Sequence, residues 1–313
     1  MIQAVSGAKV LVLGGFGFLG RHLVDGLLRA GAKVRVFERN MHGDAQYVRD
    51  VQVVLGNFVT GEGFDEALRD IDVVYHLIST TVPSTSNDDP VADVQSNLVG
   101  TLQLLRRMQA ANVKRIVYVS SGGTVYGNPV TLPVPEAHPL KPLCSYGIVK
   151  VAVENYLAMY SQLYGLSATV LRVANPYGMH QHRIGVQGVI PTFIGKMMRG
   201  EPIEIWGNGS VVRDYIYVDD VVSALLAALG DRSSGTFNIG SGVGHRIIDV
   251  LEVVGRITGL EGEIRHLPGR DFDVEQIYLD IRHARDQLNW TPKYSLETGC
   301  AHYWRLIQAK GEI

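Results

Sequence analysis

Tyr146 and Lys150 stand at i and i+4 in a segment whose apolar pattern predicts a helix, so phenol and ammonium share one face. A tyrosine with an ordinary pKa of about 10 is a poor base at neutral pH. An adjacent ammonium, joined by a second positive charge such as an oxidised redox cofactor would bring, stabilises the phenolate. Lowering the pKa by about three units takes about 4 kcal/mol, which two nearby cations in a partly dry site supply. Such a phenolate takes a hydroxyl proton while a hydride leaves the same carbon. Taken alone, the same pair describes a surface contact on an amphipathic helix.

A second constellation lies upstream. Gly14, Gly17 and Gly20, with Phe18 and Leu19 between them, have the spacing G-x-x-G-x-x-G after an apolar run and at the start of a helical pattern. Glycine there lets the backbone turn sharply and lets a pyrophosphate approach the helix N-terminus. Glu38 ends the next predicted strand. A carboxylate at that place accepts hydrogen bonds from an adenosine ribose and repels a 2′-phosphate, which predicts NAD as the cofactor. Arg39, its neighbour, is the alternative: a receptor for that phosphate.

Parallel strands and helices must position these groups. Short apolar runs at 9–13, 33–37, 51–55, 72–78, 115–120 and 168–173 alternate with helical periodicity at 18–30, 64–69, 91–111 and 146–164. That alternation predicts an α/β fold, a Rossmann-like doubly wound parallel sheet. Beyond about residue 175 the pattern loosens. Helices are expected near 191–199, 219–229 and 248–258, and a strand at 203–206. We read 1–175 as an NAD-binding domain and 176–313 as a smaller C-terminal substrate lobe, partly interleaved with the first.

Composition narrows the function classes. The 313 residues are 46% hydrophobic and 19% charged, with net charge −2. That balance gives no blanket attraction to nucleic acid or anionic membrane. No apolar run is long enough to span a bilayer. The two cysteines, Cys144 and Cys300, fit a reduced compartment and build no thiolate metal site. His180 and His182 form no metal pattern, so no metal is expected. The chain reads as a soluble, cytoplasmic protein.

Further motifs join the first two. His76-Leu77-Ile78-Ser79 follows the fourth strand. Asn97-Leu98-Val99-Gly100-Thr101 and Ser120-Ser121-Gly122-Gly123-Thr124-Val125-Tyr126-Gly127 come next. Asn175-Pro176-Tyr177-Gly178, the run from Arg213 to Asp220, Arg270 to Asp273, and Leu288-Asn289-Trp290 complete the set. Over nearly its whole length the sequence resembles the extended short-chain dehydrogenase/reductase superfamily. Within it, the chain is most similar to the nucleotide-sugar epimerases and dehydratases typified by UDP-galactose 4-epimerase. The resemblance implies Tyr146 and Lys150 as the catalytic pair. It implies cofactor contacts from the glycine turn, Glu38, Arg39, Asn57, Phe58, Leu77, Ile78, Ser79, Asn97 and Ser120. Asn175, Arg213 and Arg270 are implied to hold a nucleotide-sugar diphosphate, and Asp273 a ribose. The implied reaction is 4-epimerisation of a UDP-sugar by transient oxidation at C4 with tightly held NAD. The implied assembly is a homodimer joined through the helices at 91–111 and 146–164.

Departures from the family pattern sharpen the reading. The Ser or Thr that usually bonds the reacting hydroxyl aligns with Gly122, leaving space beside Tyr146. Thr124, Ser121 or a water is expected to stand in. Gly123 and Thr124 replace the Asp-Glu pair of the 4,6-dehydratases, which argues against dehydration. Asn57 replaces an Asp near the adenine. Ile277 takes the place of a bulky tyrosine that limits sugar size, which predicts tolerance of an N-acetyl substituent. Two alternatives remain: an NAD(P)-dependent keto-sugar or carbonyl reductase, and a dinucleotide-binding sensor without turnover.

Overall fold

A computed structural model describes residues 5–41, 50–181, 188–230, 233–269 and 274–310. Strands β1 (Lys9–Leu13), β2 (Lys33–Glu38), β3 (Gln52–Leu55), β4 (Val73–His76), β5 (Arg115–Ser121) and β6 (Ser167–Val173) alternate with helices. The helices are α1 (Phe18–Arg29), α2 (Phe64–Ala67), α3 (Pro90–Asp93), α4 (Gly100–Ala110) and α5 (Ser145–Tyr164). All four residues of β4 are buried, as a strand covered on both faces requires. In β1, Val10 and Val12 face one core with Leu23 and Leu27 of α1. Leu11 and Leu13 face the other, with Leu104 and Met108 of α4 and Leu157 of α5. Alternate side chains of one strand therefore feed both faces of the sheet.

The segment read as one helix over 91–111 is three pieces. Asp89 caps α3 by accepting from the Ala92 N–H at 2.9 Å, with Pro90 in the first turn. A π-helical turn follows over Val94–Val99, and α4 continues from it. A Cβ on Gly100 would lie 2.6 Å from Cε1 of Phe58, so glycine sets that close approach. The catalytic-pair helix α5 ends at Gly165 with φ +68°, a left-handed stop that favours glycine.

The second half builds further layers and also returns to the first. It contains β7 (Asn175–Tyr177), α6 (Val189–Met198), β8 (Ile203–Trp206), β9 (Val212–Tyr217), α7 (Val218–Ala227) and β10 (Gly235–Ile239). These are followed by β11 (Gly244–Arg246), α8 (Ile247–Thr258), β12 (Ile264–Leu267), β13 (Gln276–Ile277), α9 (Arg282–Leu288) and α10 (Leu296–Lys310). Strand β10 pairs in parallel with β6, and the central sheet runs β10-β6-β5-β4-β1-β2-β3, parallel throughout. Helix α7 packs beside α1, with Val221 and Leu225 in the same core as Val10 and Val12. A smaller sheet, β11-β9-β13 with β7 on β9, and the β8–β12 pair cover a third core with α6, α8 and α10. Asp220 ties the C-terminal segment down by accepting from the N–H groups of Lys293 and Tyr294 at 2.8 and 3.0 Å.

Strand order reverses around β1, which opens a crevice at the carboxyl ends of β1 and β4, the place where ligands bind such sheets. Among the described residues no helix is long and apolar enough to cross a membrane.

Candidate active site

The glycine turn closes on itself. Gly14 has φ +81°, and a Cβ on Gly20 would lie 2.0 Å from the Gly14 carbonyl oxygen and 2.7 Å from Cα of Gly15. Gly15, which the sequence reading passed over, would place a Cβ 2.7 Å from Cγ1 of Val36. Gly17 caps α1 without a side-chain acceptor, and the first turn carries no acidic residue, so its N–H groups suit an anion.

A cavity of about 1070 Å³ opens over this turn. Of the residues expected around a cofactor, Gly14, Gly17, Phe18, Glu38, Arg39, Asn57, Phe58, Leu77, Ile78 and Ser79 line it. Oε1 of Glu38 accepts from the Phe16 N–H at 2.7 Å, which fixes the carboxylate at the cavity wall. Asn57 accepts from the Val59 N–H at 2.9 Å and shapes the loop that presents Phe58. Leu19 packs into the cores behind the turn rather than onto the cavity. The opposite wall was not legible: Met179, His180 and Gln181 after β7, and Tyr303 of α10. The glycine cradle, the uncapped helix start and the fixed Glu38 fit NAD.

Ser79 joins this cavity to the acid–base pair, because it lines both this cavity and the small one that holds Tyr146 and Lys150. The Nζ of Lys150 donates to the Val119 carbonyl at 2.9 Å and lies 5.4 Å from the Tyr146 ring centre. Burial pushes Tyr146 up to about 12; Ser79 opposes this, and the carboxylate of Asp93 adds to it. Burial pulls Lys150 down to about 8, against the attraction of Glu154 and Asp93. In the protein alone, desolvation thus outweighs any help to the phenolate, and the phenol is protonated at neutral pH.

Buried polar groups brace the pair. Asn97 donates to Asp93 at 2.8 Å and accepts from the Thr80 N–H at 2.9 Å. Ser120 donates to Glu154 at 2.5 Å, so its hydroxyl is committed inside the fold. Glu154 forms a buried ion pair with Arg172 at 2.6 Å, and Arg172 also donates to the Tyr126 hydroxyl at 3.0 Å. Asp93, Glu154 and Arg172 were missed because isolated charges in helix and strand patterns read as solvated.

The 120–127 segment corrects one expectation. A Cβ on Gly122 would lie 2.5 Å from Cδ1 of Leu279 and 3.0 Å from the Arg172 carbonyl oxygen. The space expected beside Tyr146 is filled by a core leucine. The Thr124 hydroxyl is buried and has no hydrogen-bond partner among the described residues. Its carbonyl sits against Gly147, next to Tyr146, where a Cβ would approach within 2.9 Å. Ser121 is half-buried at the end of β5.

Asn175 donates to the Asp214 carbonyl at 2.8 Å, and a Cβ on Gly123 would lie 3.9 Å from its Oδ1. The 120–127 segment and the start of β7 are therefore neighbours. Arg213 is half-buried on β9 and donates to the Val274 carbonyl at 2.6 Å. Arg270, Asp273 and His182 lie outside the described residues. Ile277 is buried in the core with Val125 and Tyr126 and lines none of these cavities. Among the described residues there is no group of three or more His, Cys, Asp or Glu able to hold a metal.

Residues 10–240 match the NAD dependent epimerase/dehydratase family, and the chain belongs to it. The chain is 35% identical over 312 residues to the UDP-glucose 4-epimerase of Mycolicibacterium smegmatis, covering 97% of this chain and 100% of that protein. The crystal structure of UDP-glucose 4-epimerase from Thermotoga maritima with UDP-glucose superposes with a TM-score of 0.91 at 36% identity, covering 96% of this chain and 99% of that one. The UDP-glucose 4-epimerase of Thermus thermophilus in complex with NAD gives 0.89 at 33% identity, over the same shares.

Proposed function

We propose that this protein is a UDP-sugar 4-epimerase that interconverts UDP-glucose and UDP-galactose with NAD retained between turnovers. The observation that carries the reading is a half-buried Tyr146 beside a buried Lys150, meeting at Ser79 a glycine-cradled cavity of dinucleotide size. Relatives carrying that name along the full length of the chain support the substrate class.

When bound, NAD would supply the hydride acceptor and donor for C4. Gly14, Gly17 and the first turn of α1 hold its pyrophosphate, and Glu38 its adenosine ribose. Tyr146 takes the proton of the C4 hydroxyl and gives it back after the 4-keto sugar has turned. Lys150, whose ammonium lies 5.4 Å from the Tyr146 ring centre, would together with the cofactor's positive charge offset the desolvation that keeps the phenol protonated. Thr124, with its unpaired hydroxyl, is our choice over Ser121 as donor to the C4 oxygen. Asn175 and Arg213 hold the diphosphate, with Arg270 and Asp273 completing that end; a guanidinium fork matches phosphate oxygens.

The reading includes a homodimer. Ile148, Tyr156, Met159 and Leu163 form an exposed apolar stripe along α5, with Val91 and Val94 exposed on the adjoining helical segment. Burying both stripes against a second copy makes a four-helix interface. Unpaired Cys144 and Cys300 accord with a reducing cytoplasm.

The test is incubation of the purified protein with UDP-glucose or UDP-galactose without added cofactor. Interconversion to one equilibrium ratio is expected. No interconversion of either sugar, but consumption of added NAD(P)H with a 4-keto-sugar as the substrate, would instead establish the reductase reading. Light scattering should give twice 34.3 kDa; a monomer overturns the dimer.

A further inference from the structure

We propose that Asp93 is a positioning residue of the acid–base centre: its carboxylate clamps the first turn of α5 to the loop after β4 and sets the field at Tyr146 and Lys150. The inference deepens the epimerase reading and rests on Tyr146 being its acid–base group.

Asp93 is 0% exposed. A buried carboxylate is tolerated only where its oxygens are well bonded. Three side chains from three segments supply that. The Thr81 hydroxyl donates to Oδ1 at 2.7 Å and the Asn97 amide donates to the same oxygen at 2.8 Å. The Ser145 hydroxyl donates to Oδ2 at 2.6 Å. Ser145 is the residue before Tyr146. Its N–H donates to Oδ1 of Asn87 at 2.9 Å, while Cys144, the cap position of α5, makes no side-chain cap. The start of the catalytic helix is thus held from outside, by Asp93 and Asn87. Asp93 and Asn97 stand four residues apart, so their side chains share a face and bond each other beside the site, where a π-helical turn begins.

Asp93 also lines the small cavity it shares with His76, Ser79, Asn97, Tyr146 and Lys150. The charged and titratable groups around the pair are Asp93 from α3, His76 from β4, Tyr118 from β5 and Cys144 before α5. Glu154 lies on α5 itself and is paired with Arg172 of β6. Among the described residues, Asp93 is the carboxylate near Tyr146 with no cationic side chain at salt-bridge distance. An anion there raises the proton affinity of both the phenol and the ammonium.

Asp93→Asn keeps the shape and removes the charge. Both limbs of the kcat–pH profile should move to lower pH by about one unit, the scale of one partly screened charge a few ångströms away. Independently of turnover, Lys150 should titrate below its value of about 8 by a similar amount. That is read by NMR on protein labelled with carbon-13 at lysine Cε, with the resonance assigned through Lys150→Arg. Ser145→Ala keeps the charge and cuts the clamp. It should lower kcat about tenfold, as loss of one hydrogen bond to a charged group does, with KM and the profile unmoved. Ser145→Thr should restore the rate.

A wild-type Lys150 titration and pH profile in Asp93→Asn overturn the inference. If that variant does not accumulate folded, Ser145→Ala with unchanged kcat overturns it. A wild-type protein that epimerises no nucleotide-sugar removes the epimerase reading instead, and the Lys150 titration still reports the field of Asp93.

Discussion

Lys150→Met should make the protein more stable while abolishing turnover. Lys150 is 6% exposed, and burial depresses its ammonium from the ordinary 10.5 to about 8. A depression of that size corresponds to about 3 kcal/mol against the charged form at neutral pH. Methionine fills nearly the same volume without a charge. It loses the hydrogen bond to the Val119 carbonyl, about 1 kcal/mol, so the net gain is about 2 kcal/mol. For a chain of this length that is a rise in Tm of about 4 °C. The pH dependence has a fixed sign. The folded-state pKa lies below that of the unfolded chain, so between about 8 and 10.5 the unfolded chain binds more protons and wild-type stability rises with pH. The variant has no such group, and its advantage should shrink across that window. The assay is thermal unfolding of nucleotide-stripped wild type and variant at pH 7 and about pH 9.5, beside turnover at pH 7. A variant that melts below wild type at pH 7, or a gap that is the same at both pH values, refutes the reasoning.

Tyr146→Phe should lose about two to four decades in kcat, the scale of a positioned acid–base group, with the melting temperature within a few degrees of wild type; near-normal kcat would remove Tyr146 from the chemistry. Gly20→Ala should purify without bound NAD and with lowered stability, because the new methyl would meet backbone atoms of Gly14 and Gly15 that cannot give way; chromatography of heat-released nucleotide checks it. Gly122→Ser should cost about 1–3 kcal/mol by overpacking against Leu279 and should not raise activity, seen as a lower Tm beside unchanged or reduced kcat.

The layered core was readable because β1 and β4 are short, mostly apolar runs buried on both faces, and helices of ordinary period follow them. The glycine turn and the Tyr146–Lys150 spacing were readable because each is local: the contacts that need them lie within one turn or one helix face. Asp93 was not, since its partners Thr81 and Ser145 lie 12 and 52 residues away and an Asp in a helical pattern reads as solvated. The π-turn escaped because six residues of wider winding barely disturb a 3.6-residue pattern. Gly122 was misread because the side chain that fills its space, Leu279, lies 157 residues downstream. The second sheet was missed because β7 has three residues and β13 two, too few to show alternation.

The place of β10 bears on how the chain is made. Strand β6 is paired on one side by β5 and on the other by β10, which is synthesised much later. Until residues 235–239 leave the ribosome, β6 presents a row of unpaired N–H and C=O groups along a strand that is almost wholly buried in the finished fold. Helix α7, which covers Val10 and Val12 through Val221 and Leu225, is also still missing at that moment. The nascent first half therefore exposes both a sheet edge and a core face, the two features that recruit other chains. Order in the central sheet is completed only after most of the polypeptide has emerged, so the protein's yield in a cell depends on what shields β6 during that interval.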